Sequence, residues 1–182
     1  ETESLLLTPR NALINIVNEK YAAGKEVIIT SDMYFPEKIL QLFAQKCGIN
    51  EKLKINVSCD LGKSKYHGDL WEHYLEIYKN TKILHIGDDD YSDITQAKKY
   101  NISTFKIFSV KEIFDKSSLK DITNELILKS QDRLLLGTIL SKLFNNPFSL
   151  CNENKKININ NITEIGYIFY GPLIYKYMSW LM

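Results

Sequence analysis

The chain has 182 residues, 45% hydrophobic and 25% charged, which suits one globular domain with room for an appendage. Its 23 basic and 22 acidic side chains leave a net charge of +1, so no general field draws it to nucleic acid or an anionic membrane, and any anion binding must be local. Three cysteines, Cys47, Cys59 and Cys151, form no CxxC pair and are odd in number, which argues against a disulfide framework and a zinc site and predicts reduced thiols in a cytoplasmic protein.

The opening ETESLLLTPR is acidic, with too short an apolar run for a secretory signal. A first residue of Glu and a last segment, YMSWLM, that stops within an apolar pattern lead us to expect an excerpt of a longer polypeptide. Thr8 and Pro9 read as N-cap and first residue of a helix whose Leu13, Ile14, Val17 and Tyr21 share a face until Gly24. Val27 to Thr30 (VIIT) predicts a short buried parallel strand. Pro36 opens a second helix with Ile39, Leu40, Phe43 and Cys47 on one side, closed by Gly48. A strand over Ile55 to Ser58 and a third amphipathic helix over Tyr66 to Tyr78 follow. Ile83 to Ile86, a helix through Ala97 and Ser103 to Phe108 then supply strand, helix and strand. This alternation predicts an α/β fold with a mostly parallel sheet.

Beyond Val110 the pattern becomes helical, with Leu126, Leu134, Leu135, Ile139 and Leu143 as expected core contacts within Ile122 to Phe144. The expected organisation is an α/β core over 1–115, a helical extension over 116–144, an Asn- and Lys-rich loop over 145–162 and an apolar helical segment over 163–182. Gly171-Pro172 and Lys176 interrupt that last segment, so we expect a helix buried against other protein and no membrane span.

Parallel sheets bind ligands beyond the carboxyl ends of their strands. Three stretches should therefore converge: Ser31 with Asp32, Gly62 to Lys65, and Asp88 to Asp93. In the third, Gly87 allows a sharp turn before Asp88, Asp89, Asp90 and Asp93, whose mutual repulsion calls for a cation or hydrogen bonds. Mg²⁺ suits such a loop because it prefers oxygen and takes few protein carboxylates. The competing reading is a capping loop, with Asp90 or Ser92 as the cap.

VIITSDMY, LGKSKYHGDLW and HIGDDDYSD together resemble the second, third and fourth motifs of the haloacid-dehalogenase (HAD) superfamily of phosphohydrolases, over roughly Thr8 to Phe108. The wording SDMY, SK..G.LW and HIGD..SD is similar to HAD domains of large bacterial proteins linked to surface polysaccharide synthesis. The resemblance implies a Rossmann-like core and a Mg²⁺-dependent reaction on a phosphate monoester, such as a sugar phosphate, with no nucleic-acid partner. It implies that Ser31, with Thr30 as substitute, hydrogen-bonds a phosphoryl oxygen. It further implies that Lys65, at the start of the third helix, or else Lys63, neutralises charge. Asp88 would bind Mg²⁺, Asp93 would hold metal waters or the lysine, and Asp32 would lie among the substrate-binding residues. The family's first motif, DxDx[TV], is absent from residues 1–182; it should lie upstream, and without its strand the sheet would lack a central member.

Asp32 also follows a strand, but Tyr34 stands where a general-acid aspartate belongs, so a turn or capping role near Pro36 is the expectation. Gly62-Lys63-Ser64 matches the tail of a P-loop, yet Val57 occupies the position of the required first glycine. His85 reads as a hydrogen-bonded core residue, and His67 and His73 lack a metal-ligand pattern. A degenerate, noncatalytic HAD module is the competing functional reading.

Overall fold

The computed structural model describes residues 6–117, 120, 130–148 and 161–182. They fall into two compact units, Glu1–Phe108 and Ser109–Met182. The first is α/β. Helix α1 (Asn11–Ala22) starts later than Thr8-Pro9 suggests, with Arg10 in the cap position and no side chain closing it. Strand β1 (Ile28–Ser31) leads to α2 (Glu37–Lys46), and β2 (Lys54–Val57) runs into a single extra turn, α3 (Ser58–Leu61). Helix α4 (Asp69–Ile77) begins after Gly68, whose φ of 88° is costly for any residue with a Cβ. The expected start at Tyr66 is therefore three residues too early, and Lys65 lies in the loop before the helix. Strand β3 (Leu84–Gly87) precedes α5 (Asp90–Gln96), a π-wound segment continued by α6 (Ala97–Lys99), and β4 (Ser103–Lys106) ends the alternation.

The strands pair in parallel, but as two ribbons. β1 pairs with β2, Ile28 opposite Lys54 and Ser31 opposite Val57; β3 pairs with β4, Leu84 opposite Ser103 and Gly87 opposite Lys106. Among the described residues no ladder joins β1 to β3. Helix α4 bridges the ribbons with side chains. The Tyr74 hydroxyl meets Thr30 on β1 at 2.7 Å and accepts from Asn56 Nδ2 on β2 at 2.8 Å, while the Trp71 ring lies 4.6 Å from that of His85 on β3. Leu70, Trp71, Tyr74, Ala97 and Ile102 form the buried cluster beneath this helix, extended by Leu61, Tyr78, Ile83 and Tyr100. At its end, burial and a hydrogen bond to Glu26 push the Tyr78 hydroxyl up to about 12.

β2 is buried on both faces, with Ile55 and Val57 on one and Asn56 on the other, whereas β1, expected to be buried, is half-buried along its length. In β3 and β4 one face is open, with Leu84 60% exposed and Ile86 and Phe105 also exposed. These side chains alternate with His85 and Thr104 and so occupy one face of the ribbon, and α4 covers the other.

In the second unit α7 (Val110–Asp115) opens with a capping box, the Ser109 hydroxyl accepting from the Glu112 amide while the Glu112 carboxylate accepts from the Ser109 amide. Phe114 packs edge-on against Phe144, at the end of α8 (Ser130–Leu143), with ring centroids 5.7 Å apart. Leu134, an expected core residue, is exposed; Leu126, Cys151 and most of the 145–162 loop lie outside the described residues. The last segment is helical through α9 (Ile162–Ile165), the π-wound α10 (Gly166–Tyr170) and α11 (Gly171–Leu181). Its aromatic side chains are largely exposed rather than buried. Among the described residues no helix is long and apolar enough to cross a membrane.

Candidate functional site

The carboxyl ends of β1, β2 and β3 meet around one lysine. The chain leaving β1 places Asp32 so that its two carboxylate oxygens accept the backbone N–H groups of Lys65 and Tyr66, each at 3.0 Å. Asp32 thus clamps the loop between Gly62 and Gly68 rather than capping the helix after Pro36. Neighbouring amides are also satisfied: Ser64 N–H donates to Asp69 Oδ1 at 2.9 Å and His67 N–H to Ser64 Oγ at 3.1 Å. A P-loop cradles phosphate with unpaired amides. Here the amides of residues 64–67 already face protein acceptors, two of them on one carboxylate.

The other end of Lys65 is held by Asp93, with Nζ 2.5 Å from Oδ1. His85 Nε2 approaches the same oxygen at 2.9 Å, and the Asp89 amide donates to Oδ2 at 3.0 Å. Asp93 is 3% exposed. Burial alone would raise its pKa, but the hydrogen bonds from His85 and Lys65, the lysine's charge and the Asp89 amide outweigh it and hold the carboxyl well below the usual range. Gly87 makes this approach sterically feasible, because a Cβ there would overlap Cγ and Oδ2 of Asp93.

The four aspartates of the loop divide by partner. Asp89 caps α5, its Oδ1 accepting from the amides of Tyr91 and Ser92 and from the Ser92 hydroxyl, and these bonds lower its pKa. The cap is therefore Asp89, neither Asp90 nor Ser92. Asp90 pairs with Lys106 at the end of β4, and Asp93 is committed to Lys65 and His85. The Asp88 carboxylate is exposed and makes no hydrogen bond or ion pair among the described residues. It does feel the charge of Arg10, whose Nη2 donates to the Phe108 carbonyl at 2.8 Å and whose pKa is lowered by burial.

Among the described residues no three His, Cys, Asp or Glu side chains gather as a metal cage. That arrangement does not suit a cation held wholly by protein. A cation here would meet one exposed carboxylate, Asp88, and would need water and substrate to complete its shell.

Ser31 ends β1 with a hydroxyl that bonds nothing among the described residues, whereas Thr30 Oγ1 is taken by Tyr74. The strand pleat sends Ser31 to the opposite face from Thr30. Of the two candidate lysines, Lys65 reaches the acidic loop. Two members of the arrangement escape motif reading. His85 shares a strand face with Gly87, and that period-two placement is the signal that could have found it. Gln96 is buried and its Nε2 donates to the Tyr66 carbonyl at 2.7 Å and to the Tyr91 hydroxyl at 2.8 Å, tying the second and third loops together; its sequence context carries no such signal. No protein-family model matches the chain, and no curated protein matches it.

Proposed function

We propose that the first unit is the greater part of a HAD-type, Mg²⁺-dependent phosphatase or phosphotransferase site whose nucleophilic aspartate comes from outside residues 1–182. The observation that carries this reading is the fixing of Lys65 at both ends, its backbone by Asp32 and its ammonium by Asp93. One N–H of the ammonium goes to Asp93, which leaves two for phosphoryl oxygens. The Ser31 hydroxyl would donate to a third oxygen. Bound at Asp88, Mg²⁺ would supply further neutralisation of phosphoryl charge. Preorganised cations and donors of this kind are the main protein contribution to phosphoryl transfer.

In this scheme a carboxylate oxygen of the external aspartate forms a bond to phosphorus as the ester P–O bond breaks, the alcohol taking its proton from the second aspartate of DxDx[TV], which recovers one from the attacking water in the next step. Water then cleaves the aspartyl phosphate, restoring the carboxylate and releasing phosphate. The reading also accounts for the divided sheet, since the strand carrying the nucleophile is the central one. The protein extended upstream through a strand ending in DxDx[TV] is expected to hydrolyse a generic phosphomonoester with Mg²⁺. Lys65→Ala and Asp88→Ala should each lower kcat/KM by about 100-fold. Unchanged turnover in Asp88→Ala would remove the metal role.

A noncatalytic module is the second reading, because Asp32 does not stand in for the missing nucleophile. Asp32, the carboxylate directly after β1, spends both oxygens on loop amides and is not poised as a nucleophile. If the encoded residues before Glu1 hold no DxDx[TV], the scaffold reading replaces the enzyme.

A further inference from the structure

The two oxygens of the buried Asp93 carboxylate are anchored by different means. Oδ2 lies against Gly87, where an added methyl group would overlap it, and accepts the Asp89 amide at 3.0 Å, so the backbone holds that end. Oδ1 takes the Lys65 ammonium, and the other donor that reaches it among the described residues is His85 Nε2 at 2.9 Å. An ionised carboxylate only accepts, so Nε2 carries the hydrogen and donates. The imidazole is itself fixed. It projects from β3 with its side chain 13% exposed, and its ring meets the fully buried Trp71 ring of α4 at 62°, with centroids 4.6 Å apart. Lys65, by contrast, is clamped at its backbone by Asp32 and reaches Asp93 along a flexible stem of methylene groups.

We propose that His85 is a positioning residue of the phosphoryl site: its Nε2–H holds Asp93 Oδ1 where the Lys65 ammonium, resting on that oxygen, keeps its other two N–H groups for phosphate. The proposal rests on the phosphoryl-site reading above and adds to it a residue that acts through Asp93 and Lys65 rather than on the substrate. The terminal torsion of an aspartate is soft. With Oδ2 alone anchored, the carboxylate would swing about that end, and Oδ1 would carry the lysine with it. A histidine on a strand, wedged against a buried indole, is the rigid reference that a long lysine side chain cannot supply for itself. Packing against Trp71 asks only for a ring at position 85. The nitrogen aimed at Asp93 answers a different need.

The test is calorimetric titration of the full chain with inorganic phosphate in Mg²⁺ buffer. His85→Phe keeps a ring against Trp71 and removes the donor; it should retain a cooperative unfolding transition and weaken phosphate binding about tenfold. His85→Gln carries an amide nitrogen about as far from the backbone as Nε2, and should bring affinity back to within about twofold of wild type. In a Lys65→Ala background, where Ser31 and Mg²⁺ at Asp88 remain for phosphate, His85→Phe should have no further effect, because the two residues act in series. A merely structural role would make the two losses add. Should His85→Phe fail to fold, His85→Asn takes its place, since the shorter amide does not reach Oδ1. Wild-type affinity in the donor-free variant, no recovery with His85→Gln, or a further loss on top of Lys65→Ala overturns the positioning role and spares the phosphoryl site. If phosphate fails to bind the wild type, the underlying reading fails and the proposal falls with it.

Discussion

Lys65 and Asp93 carry opposite charges in a nearly dry setting, and that arrangement is sensitive to the loss of one partner. Asp93→Asn should destabilise the protein by about 3 kcal/mol at neutral pH, read from denaturant midpoints. The pH dependence has a defined sign. The folded carboxyl titrates below its unfolded range, so its stabilisation is present above about pH 4 and is lost as pH falls through the lower, folded value. The stability difference between wild type and Asp93→Asn should therefore hold through mild acid and vanish only in strong acid. Gly87→Ala introduces a methyl group into the space of the Asp93 carboxylate and should cost about 1–3 kcal/mol by the same measurement. At this scale the sequence was legible where spacing marks a turn and its carboxylates. A glycine after an apolar strand and aspartates one and six residues later mark the loop at Gly87, Asp88 and Asp93. The division of labour among the aspartates was not legible, because it depends on Lys106, His85 and the Asp89 cap, which arrive from three elements.

Helix α4 acts as a clasp. Its Tyr74 hydroxyl is shared by Thr30 and Asn56, so removing that one oxygen strands a half-buried hydroxyl on β1 and a buried amide on β2. Tyr74→Phe should cost about 1–3 kcal/mol despite preserving the ring, measured by thermal or chemical unfolding. Apolar spacing at Leu70, Trp71, Tyr74, Leu75 and Tyr78 announced this helix; the first three are buried, Tyr78 is half-buried and Leu75 is exposed. Its start was misread because the Gly68 backbone sets the boundary, whereas Tyr66 continues the apolar pattern into the loop. The first three strands were legible to within a residue and the fourth ends two residues before the expected Phe108, but their exposure was not legible. Leu84, Ile86 and Phe105 have the composition of a two-sided core, and the missing cover is a property of neighbours rather than of the strand.

For the molecule as a whole, apolar area lies open in both units. Leu84, Ile86 and Phe105 line one face in the first, and Leu173, Tyr177 and Trp180 are exposed in the second, with Trp180 at 78%. A net charge of +1 offers little repulsion between copies. The 182-residue protein should self-associate as its concentration rises, and sedimentation should show Leu84→Lys combined with Phe105→Lys shifting it toward monomer. A concentration-independent monomer in the wild type would show that these surfaces are benign. The α/β class was legible from the alternation of elements, but the break between β1 and β3 was not, since local patterns do not report which strands become neighbours.

The Lys65 tie bears on the order of events in folding. Asp32 meets the Lys65 amide across 33 residues, and Lys65 meets Asp93 across 28, so neither link can form until a complete crossover has been laid down. Chain closures of that length are entropically late relative to helix turns. Substitutions at Lys65 or Asp93 should consequently speed unfolding and leave the refolding rate nearly unchanged, a pattern that the two arms of a chevron plot resolve. The cationic centre would then be the last feature acquired during folding and the first surrendered when the protein opens.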